Sequence, residues 1–353
     1  MTRIRKRGEQ VREFILETTE NNPQKVIALT IEKFGITRQA VHRHIKHLIE
    51  QGALVHSKYG VYVLCPQERW ENTFSLADNP YEDVVWRNEV KNRLGQLPDN
   101  ALSIWNYGFT EMFNNVVDHS ESQTVVIGVV KTAYSTEMDI WDFGVGIFNK
   151  ITKAMNLLDE RHAVIELTKG KLTTDPKRHT GEGIFFTSRM FDTFSILSGE
   201  VFLSHVYGDA EDWILQNQRP RNGTLITMKL KNNTSRTTKQ VFDQFTSGDD
   251  IAFTKTVVPV RMAQYGDEKL VSRSQAKRLL ERIDRFKTVL FDFRGVETIG
   301  QAFADEVFRV SLNQHPQVNF VPINANESVM QVINNIRFKT DNNQTSLSST
   351  QNS

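Results

Sequence analysis

The chain has 353 residues, 39% of them hydrophobic, which is enough for two or three domains with ordinary apolar cores. With 43 basic and 42 acidic residues it is close to neutral, so net charge selects no partner class. A single cysteine, Cys65, excludes an intrachain disulfide and a cysteine-based zinc site, and its ordinary role is a small buried side chain at a strand end. No apolar run approaches the ~20 residues that span a bilayer, and the start MTRIRKRGEQ has no apolar signal core. The expectation is a soluble, cytoplasmic protein with no membrane partner.

Residues 1–66 read as three helices and a hairpin and are locally basic, which points weakly to an anionic partner. GEQVREFILET sets Val11, Phe14 and Ile15 on one helical face, and KVIALTIEKFG does the same with Ile27, Ile31 and Phe34. Gly35 supplies a turn, and Thr37 is placed to cap a third helix whose inward stripe is Ala40, Val41, Ile45 and Leu48. Gly52 ends it, and ALVHSKYGVYVL reads as two short strands around a Tyr59-Gly60 turn.

This segment, above all ITRQAVHRHIKHLIEQGALV, resembles the winged helix-turn-helix family. The resemblance implies DNA binding through the outward face of the third helix, Arg38, Gln39, His42, Arg43 and Lys46, with Lys58 on the wing. Arg and Gln suit guanine and adenine edges in the major groove, whereas Lys and His suit phosphate. The alternative is a winged helix used for protein contacts. The i, i+2, i+5 spacing of His42, His44 and His47 scatters them around the helix, which argues against a metal site there.

Residues 67–81, QERWENTFSLADNPY, read as a polar linker. From residue 82 to 245, helical patterns alternate with β-branched runs such as TVVIGVV and TLITMKL. Inside this block IWDFGVGIF invites three readings. A protein kinase needs a Gly-rich loop, a strand lysine and an H-R-D loop before its D-F-G, and none is present. A dinucleotide loop needs a third glycine where Asn149 stands, and KGKLTTD falls short of a phosphate-binding P-loop.

The third reading finds companions. Upstream, FTEMFNNVVDHSES is an amphipathic helix that puts Glu111, Asn115 and His119 on one face. Downstream come HTGEGIFFTSRMFD, with a Gly-x-Gly pair opening a helix, and RNGTLITMKL, with Gly-Thr heading a strand. The ordered set over residues 100–232 resembles the Bergerat-fold (GHKL) ATPases, closest to the anti-sigma kinase type. The resemblance implies an α/β sandwich, a mixed sheet with helices on one face, that binds ATP with Mg²⁺.

Carried over by position, Asp142 accepts the adenine amine with Thr224 nearby, and Gly144 and Gly146 let the backbone turn beside the nucleotide. Asn115 ligates Mg²⁺ through a hard oxygen, and Gly181 and Gly183 cradle phosphate at a helix N-terminus. Glu111 takes the place of a general base. The segment from Ile147 to Gly181 corresponds to a mobile ATP lid, in which Lys177, Arg178 and His179 are placed either to reach phosphate or to be solvated.

Residues 246–338 read as strand, helix, strand and helix. TVLFDFRGVETIGQAFADEVFRVSL, with Phe303, Val307 and Val310 inward, resembles STAS-like domains related to anti-sigma factor antagonists. Gly300, Gln301 and Ala302 stand where those antagonists carry a phosphorylated serine, so the resemblance implies a docking surface, in cis, across a homodimer or for a protein partner, rather than a phosphorylation switch. Residues 339–353 hold almost no apolar side chains and are expected to be disordered.

Two functions follow. One is a transcriptional regulator in which Mg·ATP binding, with hydrolysis open, sets DNA binding by the winged helix. The other is an enzyme, a serine/threonine kinase acting on a separate protein with the winged helix as adaptor.

Overall fold

The computed structural model describes residues 3–57, 61–77, 80–172, 181–208, 213–247, 250–264 and 268–337. It is a multidomain α/β arrangement. The N-terminal block comprises α1 (Arg3–Asn21), α2 (Val26–Phe34), α3 (Arg38–Glu50) and the antiparallel pair β1 (Leu54–His56) and β2 (Tyr62–Leu64). Its core is built on Val11, Ile15, Val41, Ile45 and Leu48 and takes in Tyr134 from the central block. Gly35 takes the left-handed conformation (φ +61°), and the Thr37 hydroxyl accepts from the Ala40 N–H at 3.2 Å, so both punctuation residues act as expected. On α2 the deepest residues are Val26 and Thr30, one position round from the stripe read in the sequence, because the Thr30 hydroxyl donates to the Val26 carbonyl within its own helix. The Tyr59-Gly60 turn lies outside the described residues.

The expected linker is largely a strand. β3 (Glu68–Ser75) pairs antiparallel with β4 (Thr124–Lys131) along its whole length. Only Trp70 and Phe74 of β3 pack on the core, as befits a sheet edge, and that sparse pattern hid the strand. The helical stretch that follows runs from α4 (Glu82–Val85) through a π-helical turn (Trp86–Val90) into α5 (Lys91–Leu94).

The rest of the central block is α6 (Asp99–His119), β4, β5 (Ser135–Asp142), α7 (Ile147–Met155), α8 (Glu160–Lys169), α9 (Gly183–Met190), β6 (Thr193–Val206), β7 (Trp213–Lys231) and α10 (Thr238–Phe245). The five-stranded sheet has the order β3-β4-β5-β7-β6, and every neighbouring pair is antiparallel. The mixed sheet of the sequence reading is therefore corrected. β5 and β6 do run the same way, but the β6–β7 hairpin sets β7 between them. One face, with Val125, Ile127, Met138, Ile140, Ile226 and Met228, is buried, while alternate residues such as Asp139, Trp141 and Thr227 are half-exposed. α6 covers the buried face with Ile104, Trp105, Phe109, Met112, Phe113 and Val116, a helical period that leaves Glu111 and Asn115 on another side.

The last block opens with β8 (Thr246–Ser247) and β9 (Asp250–Phe253) and continues as β10 (Lys255–Pro259), α11 (Arg273–Leu280), β11 (Thr288–Asp292), α12 (Gln301–Asp305), a π-helical turn (Glu306–Ser311), α13 (Leu312–Gln314) and β12 (Asn319–Ile323). A helix at 327–337 follows. β10, β11 and β12 form a parallel sheet with β11 in the middle. Phe303 and Val307 are buried as expected, but Val310 is only half-buried. The π-helical turn rotates the chain, so that Phe308 and Ser311 point inward instead. Central and C-terminal blocks share one continuous hydrophobic core. No helix among the described residues is long and apolar enough to cross a membrane.

Candidate functional site

The last turns of α6, the end of β5, the starts of α7 and α9 and two positions of β7, Thr224 and Ile226, meet around a cavity of about 290 Å³. Glu111, Asn115, Asp142, Gly146, Gly181, Gly183 and Thr224 all line it. Those positions come from four separated sequence segments. The volume is at the small end of ligand pockets, which run from ~300 Å³ upward.

Asp142 is 3% exposed. Its Oδ1 accepts from the Gly144 N–H at 2.9 Å, and the backbone and hydroxyl of Thr224 also hydrogen-bond the carboxylate. Burial pushes its pKa up, those three donors pull it down, and burial prevails. The Thr224 hydroxyl oxygen in turn accepts from the Ile147 N–H at 3.0 Å, which ties the strand to the first turn of α7. Gly144 does not line the cavity; it holds the carboxylate. A Cβ there would stand 1.8 Å from the Ser120 carbonyl oxygen, so no larger residue fits the approach of this turn to the end of α6.

Glu111 faces the first turn of α9. A Cβ at Gly183 would lie 1.9 Å from its Oε2, so the carboxylate occupies the space that a side chain would fill. Burial, then the charges of Glu111 and Glu182, raise the Tyr107 phenol well above its usual range. Burial likewise raises Glu182, between the two glycines, against the nearby Lys171. Lys177, Arg178 and His179, expected from the sequence to belong to a lid, lie outside the described residues.

Sequence reading missed Lys150. Lys150 lines the cavity from α7, with Nζ donating to the His119 carbonyl at 2.7 Å and to Glu121 at 2.9 Å. Its position one turn after Gly146 was the available signal. Gly223 has φ +83°, and a Cβ on it would meet the Asp142 carbonyl oxygen at 2.0 Å.

On the N-terminal block, Arg38, Gln39, His42, Arg43 and Lys46 are all exposed on α3. Arg38 Nε stands 3.5 Å from His42 Nε2, and Lys46 makes a loose 3.9 Å pair with Glu50. His44 is held below its usual range by burial and then by the positive charges of Arg12, Arg43 and His47. The exposed face of α3 thus carries the cations Arg38, Arg43 and Lys46. Lys58 lies outside the described residues.

Among the described residues one group has metal-ligand proximity, His162, Glu166 and Glu281. The Glu166 carboxylate is already taken by Lys169 and by Arg282 at 3.2 Å, so the donor set does not favour a cation.

A protein-family profile described as a STAS-like domain of unknown function (DUF4325) matches residues 275–330, from α11 into the final helix. Residues 275–330 of the C-terminal block are STAS-like. No curated protein matches the chain.

Proposed function

We propose that this protein is a cytoplasmic ATP-binding regulator in which a GHKL (Bergerat-type) central block binds Mg·ATP and thereby sets the DNA affinity of an N-terminal winged helix. One observation carries the reading: Glu111, Asn115, Asp142, Gly146, Gly181, Gly183 and Thr224 meet at one cavity. The chemistry of the lining fits the ligand. A buried carboxylate oriented by Gly144 and Thr224 suits the exocyclic amine of adenine. The first turn of α9 at Gly183, where any Cβ is excluded, suits phosphate oxygens close to backbone N–H groups. Asn115 is a suitable hard-oxygen ligand for Mg²⁺, whose contribution is to neutralise phosphate charge. The exposed basic face of α3 supports the DNA half of the reading.

Fluorescence anisotropy on DNA at fixed salt, with and without ATP, measures the coupling, and identical affinities would count against it. Asp142→Asn replaces the acceptor by an amide that can present a donor, and loss of ATP binding in the folded variant is the expected result.

The second reading is a serine/threonine kinase, and the position of Glu111 beside the first turn of α9 favours it. Glu111→Ala is expected to spare ATP binding and stop turnover. Incubation of the wild type with γ-labelled ATP and lysate separates the readings. Label on one small protein selects the kinase, and release of free phosphate alone selects the ATPase regulator.

A further inference from the structure

Part of the cavity wall is Leu167 at the end of α8, with Leu172 and Gly181 beyond it. The Leu172 N–H donates to the Gly181 carbonyl at 3.1 Å. Gly181 has φ +73°, and a Cβ on it would meet the Leu172 backbone at 2.4 Å, so the two backbones are in close contact. Two residues beyond Gly181, Gly183 opens α9.

The end of α8 is held from the STAS-like block. Lys169, 1% exposed, pairs with the fully buried Glu166, and its Nζ donates to the Glu281 carbonyl at 2.8 Å and the Arg278 carbonyl at 3.3 Å. Arg282 spans the junction. One guanidinium nitrogen donates to Glu166 at 3.2 Å and the other to the Lys171 carbonyl at 2.7 Å. Arg285 donates to the same carbonyl at 2.9 Å, and the Thr256 hydroxyl donates to the Lys169 carbonyl at 2.6 Å. A helix end leaves carbonyls without intrahelical donors. Here Thr256 supplies one to Lys169, and Arg282 and Arg285 supply the Lys171 carbonyl just beyond the helix. Arg282 does so from a left-handed backbone (φ +59°), a conformation that costs a non-glycine residue free energy and persists where its surroundings over-determine it.

We infer that Arg282 is a positioning residue for the cavity: from the STAS-like block it fixes the end of α8, and through Leu172 and Gly181 it sets the α9 first turn against the phosphate tail of a nucleoside triphosphate. This rests on the nucleotide reading above. The C-terminal block is then a working wall of the site, and any partner that displaces α11 loosens the phosphate end while leaving the adenine end, held by Asp142 and Thr224, in place.

The test uses the full chain. Hydrogen exchange over 165–172 and 181–186 is compared, without nucleotide, between wild type, Arg282→Ala and Arg282→Lys, and ATP and adenosine are titrated into each. Arg282→Ala is expected to speed exchange in both segments and raise the Kd for ATP about tenfold, within the usual range of site coupling, with adenosine unchanged. Arg282→Lys should recover part of both effects. Unchanged exchange, unchanged ATP affinity, or equal loss of ATP and adenosine in a folded Arg282→Ala protein overturns the inference. Should that variant fail to melt cooperatively, Arg285→Ala, which removes an exposed guanidinium from the same carbonyl, must show smaller changes in the same direction, and wild-type behaviour overturns the inference. A wild type that binds neither ligand removes the nucleotide reading, and the exchange comparison still decides the strut.

Discussion

Asp142 combines two properties that oppose each other, deep burial and a carboxylate kept able to accept. The Gly144 N–H and the Thr224 donors offset part of the desolvation, and burial still leaves the pKa raised above the ordinary aspartate value. An adenine amine needs the ionised form. On acidification ATP affinity should therefore fall at a higher pH than an ordinary aspartate would cause. Calorimetric titration from neutral into acid checks it. A flat profile in the wild type would remove Asp142 from base recognition. Gly144 belongs to the same device, since a methyl group there meets the Ser120 carbonyl at 1.8 Å. Gly144→Ala should lower stability by roughly 1–3 kcal/mol in urea unfolding and weaken ATP binding with it.

At the scale of elements, α3 begins at the Thr37 cap, which satisfies one of its orphan N–H groups. Thr37→Ala should cost about 1 kcal/mol and Thr37→Ser almost nothing, read as the unfolding midpoint of the N-terminal block. α1 is the element that joins that block to the central sheet. Glu17 pairs with Lys231 at 2.6 Å and accepts from the Tyr134 hydroxyl at 3.1 Å, while Glu20 pairs with Lys229 at 2.7 Å and accepts from Ser135 at 2.7 Å. Partial burial pushes the Glu17 pKa up, but the hydrogen bond and charge of Lys231 outweigh it, so the folded value lies below the ordinary one. The contribution to stability is accordingly present above the ordinary glutamate pKa and lost as pH falls through the lowered value. Both side chains are partly exposed, so the pair contributes roughly 0.2–1 kcal/mol. Lys231→Met should flatten this acid-side dependence, followed as exchange protection of α1.

In the whole molecule, the same two strands serve both contacts. β5 runs from Ser135, beside α1, to Asp142 in the cavity, and β7 runs from Thr224 in the cavity to Lys231, beside α1. Seven residues of extended chain span about 23 Å. On the proposed reading, a ligand-driven change in the ends of β5 and β7 would reach α1 through hydrogen-bonded neighbours, registered from Ser135↔Lys231 to Trp141↔Leu225. Paired variants Glu17→Gln and Glu20→Gln should leave ATP affinity and DNA affinity separately intact but bring the factor by which each alters the other towards one. Retention of the full factor would mean that the coupling takes another route.

Local chemistry made much of this chain legible. Gly35 and Thr37 announced a turn and a cap, the stripe Val41, Ile45 and Leu48 announced a buried helix face, and short motifs named the residues around the cavity. Each rests on interactions within a few residues, where spacing alone determines which side chains share a face. Tertiary contact decided the rest. Whether QERWENTFS is coil or strand depended on β4 being free to pair with it, and the antiparallel sheet depended on β7 sitting between β5 and β6. The roles of Lys150, Gly223 and Arg282 were set by carbonyls and carboxylates distant in sequence. A lone charged or small residue carries no periodicity, and its partners exist only once the chain has folded.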